Sequence, residues 1–184
     1  MIRLTNERLE ELRDQLRARG QRPSMLMSAS ARTSQDLLEA AQMVEEWGAF
    51  CEAMYLMMAA DRRVLNVERE VLRGALSVLS GDRVRSRHME SMLDSAARKI
   101  AEEGADKRLA HVIEVLREDP ARAETAVVLA AAIAAADDRV VPEEHAMLEA
   151  LFDGLGIEEA RANQILDDLS GMLTTPRTSR RPKT

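Results

Sequence analysis

Two short segments hold the residues best suited to chemistry. Ala59-Ala60-Asp61-Arg62-Arg63-Val64 is followed by Glu68, and Ala135-Ala136-Asp137-Asp138-Arg139-Val140 is followed by Glu144. The segments sit at a constant offset, 137 − 61 = 76, which Glu68 and Glu144 also keep. Carboxylate oxygens are hard donors. If Asp61, Glu68, Asp137 and Glu144 met at one point, they would suit Ca²⁺ or Mg²⁺. The same residues also have a purely structural use. An Asp where a helix gives way to a loop can accept loop N–H groups, and a Glu in the first turn of the next helix complements the helix dipole. Arg62, Arg63 and Arg139 are placed to neutralise such a group.

Other chemistries are poorly supplied. An EF-hand needs oxygen ligands two and four residues before the Asp and a Gly after it. Here Ala59 and Met57, or Ala135 and Ile133, occupy those positions, and Arg62 or Asp138 follows. None of His88, His111 and His145 has a Glu three residues earlier, as a di-iron bundle requires, and each reads as a surface residue. No HExxH and no phosphate-binding glycine loop occurs. Cys51, the single cysteine, rules out an intrachain disulfide and a multi-cysteine metal site, and its apolar neighbours suggest a buried thiol. The chain is therefore not read as an enzyme. Met54, Met57 and Met58 cannot all face inward on a helix with one buried face, so one of them is expected in a partner-binding patch.

Composition narrows the class further. Aromatic residues are only 2% of a chain that is 46% hydrophobic, so the core must be built from Ala, Leu, Val, Ile and Met, which favours helix. With 26 basic and 32 acidic residues the net charge is −6, without the basic face and stacking aromatics of a nucleic-acid binder. The longest apolar run, from Ala126 to Ala136, falls short of the roughly 20 residues that a membrane span needs. The charged amino terminus does not resemble a signal peptide. A cytoplasmic protein with a protein partner, no nucleic acid and no membrane insertion is expected. The excess of Arg over Lys, together with abundant Ala, suggests a bacterial source.

Helices must position the acidic segments. Leu9, Leu12 and Leu16 mark a first helix that ends near Gly20. Residues 1–32 are read as this helix and a linker. Thr33 to Asp36 fits a capping box. The stripe Val44, Trp47, Cys51, Met54 and Met58 marks a long helix ending near Ala60. Val71, Leu72, Ala75, Leu76 and Leu79 mark the next, then Met89 to Ile100, then Leu109 to Leu116. Asp119-Pro120 opens a helix that is apolar all round in its second half, as a central helix would be. Met147 to Leu155 marks another, ended by Gly154 and Gly156, and Ile165, Leu169 and Met172 the last. Residues 174–184 are polar and basic and read as a disordered tail.

The repeat organises these elements. From Ala59 to Leu72, seven of fourteen positions are identical to their partners at the offset. Each copy reads helix, tight loop, helix, turn, helix, and packing two copies together buries the apolar faces of both. The expected fold is all-α: a compact bundle of seven to eight helices over residues 33–173, with pseudo-symmetric copies at about 44–100 and 120–173.

The pattern Ala-Ala-Asp-x-x-Val-x-x-x-Glu, occurring twice, resembles the TerB (tellurite-resistance) family and the related amino-terminal domain of DjlA-type co-chaperones. The resemblance covers roughly Thr33 to Met172, and the second copy, AAAIAAADDRVVPEEHAMLEALFDGLGI, carries it best. It implies a stress-response or scaffolding module whose acidic cluster, here Asp61, Glu68, Asp137 and Glu144, binds a divalent metal. The family usually has Gly directly after the Asp, where this chain has Arg62 and Asp138. That departure favours the alternative, an adaptor that keeps the fold without the ion site, whereas the Asp and Glu retained in both copies favour the metal-binding module.

Overall fold

The computed structural model describes residues 6–21, 34–136 and 141–174. They form eight helices in the order α1 (Asn6–Gly20), α2 (Ser34–Met58), α3 (Asn66–Leu79), α4 (Ser86–Glu103), α5 (Ala105–Arg117), α6 (Pro120–Ala134), α7 (Pro142–Leu155) and α8 (Glu159–Thr174), with no strand among the described residues. The all-α expectation holds. The linker beyond Gln21, the capping box at Thr33 and the tail beyond Thr174 lie outside the described residues.

Local chemistry explains the boundaries. Asp119 caps α6: its side chain accepts the N–H of Arg122 at 3.1 Å, and Pro120 takes the first helical position, where no donor is needed. Gly156 ends α7 at φ 67°, a left-handed conformation that glycine adopts without a Cβ clash. The repeat offset is visible in the ends of the helices. Asn66–Leu79 and Pro142–Leu155 lie at that offset, as do the last residues of α2 and α6, Met58 and Ala134.

The packing follows a paired pattern. α1 packs on α3, α6 and α8; α5 packs on α7, α2 and α4. Exchanging α1 with α5, α2 with α6, α3 with α7 and α4 with α8 carries the first set of contacts onto the second. It also carries α2–α4 onto α6–α8 and α3–α6 onto α7–α2. The match is partial, since α6 also packs on α5 and α7 without a comparable α1–α2 or α2–α3 contact, and Leu12 and Leu16 of α1 are fully buried in the common core.

α6 is buried on all sides from Ala126 to Ala134, as its composition predicts. α2 departs from its expected stripe. Val44 is 50% exposed, and Met43 is buried in its place. Further along, Met54, Met57 and Met58 are all fully buried. The outward methionine expected from a one-faced helix does not exist, because α4, α5, α6 and α7 all pack against α2 and leave its carboxyl-terminal half no solvent side.

Two glycines set the tightest crossing. A Cβ on Gly20 would lie 1.8 Å from the carbonyl oxygen of Glu70, and one on Gly74 would lie 1.9 Å from that of Leu16. Both obstacles are backbone, so α1 and α3 could accommodate a methyl group only by separating. Gly74→Ala is therefore expected to cost about 3 kcal/mol, at the upper end of ordinary overpacking, and to lower Tm by roughly 6–12 °C. An unchanged thermal melt would show that α1 does not seat on α3 in this way.

Candidate functional site

The first acidic segment begins where α2 ends. The N–H of Ala59 donates to Tyr55 O at 2.9 Å and that of Ala60 to Met57 O at 3.2 Å. The second copy repeats the pattern: Ala135 N–H donates to Ala131 O at 3.1 Å and Ala136 N–H to Ile133 O at 2.9 Å. The first loop then turns through Arg62 at φ 66°. This is the position where the resembled family carries glycine, and the chain adopts a glycine-type conformation there with an arginine. Asp61 stabilises the turn, its Oδ1 accepting the N–H of Arg63 at 2.7 Å.

The two glutamates have matching roles. Leu65 and Val141, the residues before α3 and α7, are extended at φ/ψ of −86°/152° and −84°/159°. Neither has a side chain able to accept a hydrogen bond, so the usual amino-terminal cap is missing. Glu68 and Glu144 supply the other half of a capping box. Glu68 Oε2 accepts Leu65 N–H at 2.6 Å, and Glu144 Oε2 accepts Val141 N–H at 3.0 Å. Both residues are buried, at 3% and 6% exposure.

Asp61 and Glu68 serve one helix–loop–helix unit and Glu144 the other, and all three bond to backbone N–H groups. Asp137, with Asp138, Arg139 and Val140, lies outside the described residues. Among the described residues, no three His, Cys, Asp or Glu side chains gather as a metal-donor group. Asp61, Glu68 and Glu144 as they stand thus do not form one. The arginines expected to neutralise the first loop do not: Arg62 and Arg63 are exposed and make no ion pair among the described residues.

The remaining titratable residues divide. His111 is exposed and His145 half-buried beside Glu149. His88 corrects the surface reading: it is buried in the first turn of α4, where Arg85 N–H approaches its Nδ1 at 3.4 Å. This is the position that Glu68 and Glu144 take in their own helices, so a polar cap is needed there and the imidazole provides it. Cys51 is fully buried as expected, and burial pushes its thiol up to about 12, so it stays protonated and unreactive at neutral pH.

One charged group was missed from the sequence. Glu52, 3% exposed on α2, receives a two-pronged contact from Arg108 of α5, with Nε to Oε1 at 2.5 Å and Nη2 to Oε2 at 2.9 Å. Lys99 of α4 stands 3.4 Å from Glu52 Oε2, and Glu103 lies 3.3 Å from Arg108 Nη1. The hydrogen bond to Glu52 holds the Arg108 guanidinium above its usual pKa range, while Lys107 beside Glu103 holds that carboxyl below its own. The signal was available. Glu52 is the only charge between Trp47 and Ala60, and Arg108 is in step with Val112 and Leu116 on the buried face of α5. With Lys99, the pair joins three helices, α2, α4 and α5.

No family model, curated protein or solved structure matches this chain.

The cap geometry has measurable consequences. Glu68→Ala and Glu144→Ala each strand a backbone N–H at a buried helix start and are expected to cost about 1–3 kcal/mol in urea unfolding. No loss in either variant would mean that the carboxylates do not bond inward. Arg62→Gly removes a Cβ from a left-handed position. The relief outweighs the extra unfolded-state entropy of glycine, so a gain of roughly 0.5–1 kcal/mol is expected. A lower melting temperature for this variant would show that the loop does not pass through that conformation.

Proposed function

We propose that the chain is a non-enzymatic, TerB-like helical interaction module in the cytoplasm. In this reading it acts as an adaptor for a protein partner, in stress response or in scaffolding, with two duplicated helical units as its frame. One observation carries the reading: Glu68 and Glu144 are buried and committed to the backbone of their own helix starts. A carboxylate held in this way maintains a turn. It is poorly placed to exchange a proton with a substrate or to give up its lone pairs to a ligand. The protonated Cys51 thiol is likewise unsuited to nucleophilic work. In this reading Asp61, Glu68 and Glu144 are fasteners of a duplicated scaffold.

A second reading keeps the cation, and a specific observation favours it. Arg62 holds the first loop in a left-handed, glycine-type conformation, at the position where the resembled motif carries glycine. In that case Asp61, Glu68, Asp137 and Glu144 would share Ca²⁺ or Mg²⁺. An ion that binds only the folded protein stabilises it by about 2.7 kcal/mol at a hundred times its dissociation constant.

Thermal melts with added cation separate the two readings. The adaptor reading expects Ca²⁺ or Mg²⁺ to change Tm no more than monovalent salt of equal ionic strength. A larger rise that disappears in an Asp61→Ala/Asp137→Ala variant would establish the cation reading and overturn the purely structural one.

A further inference from the structure

We propose that α3, α6 and α8 form a helix-receiving groove that α1 fills from within the chain, and that a partner protein's helix of the same chemistry takes its place. The proposal rests on the interaction-module reading and adds the place, the partner's sequence pattern and the competition that regulates it.

Contacts define the groove as one continuous face. On α3, Glu70, Arg73, Gly74 and Ser77 follow one another at the spacing of a single helix face, and each meets α1. Glu70 accepts from Arg17 at 3.2 Å, Arg73 donates to the carbonyl of Gly20 at 3.0 Å, and Ser77 accepts from Arg19 at 2.8 Å. Gly74 lies against the backbone of Leu16. Beyond α3, Asp82 pairs with Arg19, and Asp167 of α8 pairs with Arg8. At the end of α6, the carbonyl of Ala135 accepts from buried Arg13 at 2.9 Å. Leu12 and Leu16 are buried in the core.

These contacts specify an occupant. Arg13, Arg17 and Arg19 of α1 face the body of the protein, whereas Glu7, Glu10, Glu11 and Asp14 are exposed. The carboxylates of the groove attract guanidinium groups. Arg73 stands at the carboxyl end of the docked helix, where a cation complements the dipole and the free carbonyls. At Gly20 only a residue without Cβ clears the carbonyl of Glu70. The groove therefore reads Leu-Arg-x-x-Leu-Arg-x-Arg-Gly, as residues 12–20 of α1 spell it.

α1 is also the helix best placed to give way. Its counterpart α5 is held by short joints at both ends, Gly104 and Glu118–Asp119. Residues 21–33 join α1 to α2, and α2 is not one of the three helices on which α1 chiefly packs. The pairs Arg17–Glu70, Arg19–Asp82 and Arg8–Asp167 are all partly exposed, so each adds little. A terminal element with few buried apolar side chains opens below the free energy of global unfolding.

The test uses the full chain and a fluorescent peptide of residues 6–21. Alone, so short a peptide forms little helix, so helix gained on mixing reports docking. Wild type is expected to bind it weakly, because its own α1 competes. Gly20→Ala unseats that α1 and leaves the groove unchanged, and should bind the peptide at least tenfold more tightly. Adding Gly74→Ala obstructs the groove itself and should remove the gain. Glu70→Arg should weaken binding, and a peptide with Arg17→Glu should restore it. Hydrogen exchange on the wild type decides the matter even if Gly20→Ala does not fold: α1 amides should exchange faster than those of α6, and faster still with excess peptide. Exchange of α1 only in step with α6, or peptide binding that Gly74→Ala does not reduce, would overturn the proposal while leaving the interaction-module reading intact. A concentration-dependent wild-type dimer lost in Gly74→Ala would make a second copy the occupant and overturn the partner-protein assignment. Failure of the interaction-module reading itself would appear separately, as a specific cation response of the acidic loops.

Discussion

A core almost without aromatic rings must be closed by bringing helices close together, and most of this structure depends on that constraint. Phe50, Phe152 and Trp47 are the only buried rings. Trp47 packs edge-on against Phe50, with their centroids 5.9 Å apart. Elsewhere the volume between helices is small. α6 fills the centre with alanines, and α1 meets α3 at Gly20 and Gly74, where backbone rather than side chain is the neighbour. Close approach strengthens dispersion contacts but leaves no room for bulky or flexible cap residues. The unbranched methionines of α2 suit such a core because they can fill irregular gaps between four surrounding helices.

The same crowding accounts for the form of the acidic units. At each turn from α2 to α3 and from α6 to α7, a helix ends and another begins at the edge of the core, and the exposed backbone groups need partners. Apolar Leu65 and Val141 offer no hydroxyl or carboxylate at the cap position. Glu68 and Glu144, three residues later, accept the N–H of the cap residue itself, which is the other half of a capping box. The helix α4 solves the same problem with Arg85 and His88. The repeat in the sequence therefore preserves a way of starting a helix, and Glu68 and Glu144 are among its identical positions.

How much of this was legible depended on the range of the interaction. Local signals were read correctly: Pro120 after Asp119, the glutamates in their first turns, and the wholly apolar second half of α6. The offset also anticipated the matching ends of the helices. The errors came from neighbours that a single helix does not reveal. Val44 and Met43 are adjacent, and only the placement of α5 and α6 decides which is covered. Met54, Met57 and Met58 were assigned one buried face because the number of helices around α2 was unknown. Glu52 and Arg108 are far apart in the chain, and each looks like an ordinary solvated charge until α2 and α5 are packed together. The place of α1 was hidden for another reason. Its counterpart α5 joins α6 through Glu118 and Asp119 alone, whereas residues 21–33 separate α1 from α2, so no fixed offset relates the two helices.

The commitment of the glutamates also bears on whether the fold could accommodate a cation. For Glu68 to ligate one through the oxygen that now accepts Leu65 N–H, the backbone donor would lose its partner in a buried setting. An unsatisfied buried donor costs about 1–3 kcal/mol, and each 1.4 kcal/mol is about a tenfold loss of affinity. If both glutamates made the same exchange, the penalties would multiply. Asp61 faces a similar choice, since its Oδ1 holds the N–H of Arg63 in a turn already strained at Arg62. The carboxylates that hold the starts of α3 and α7 would thus bind a cation at the expense of the backbone bonds they now make.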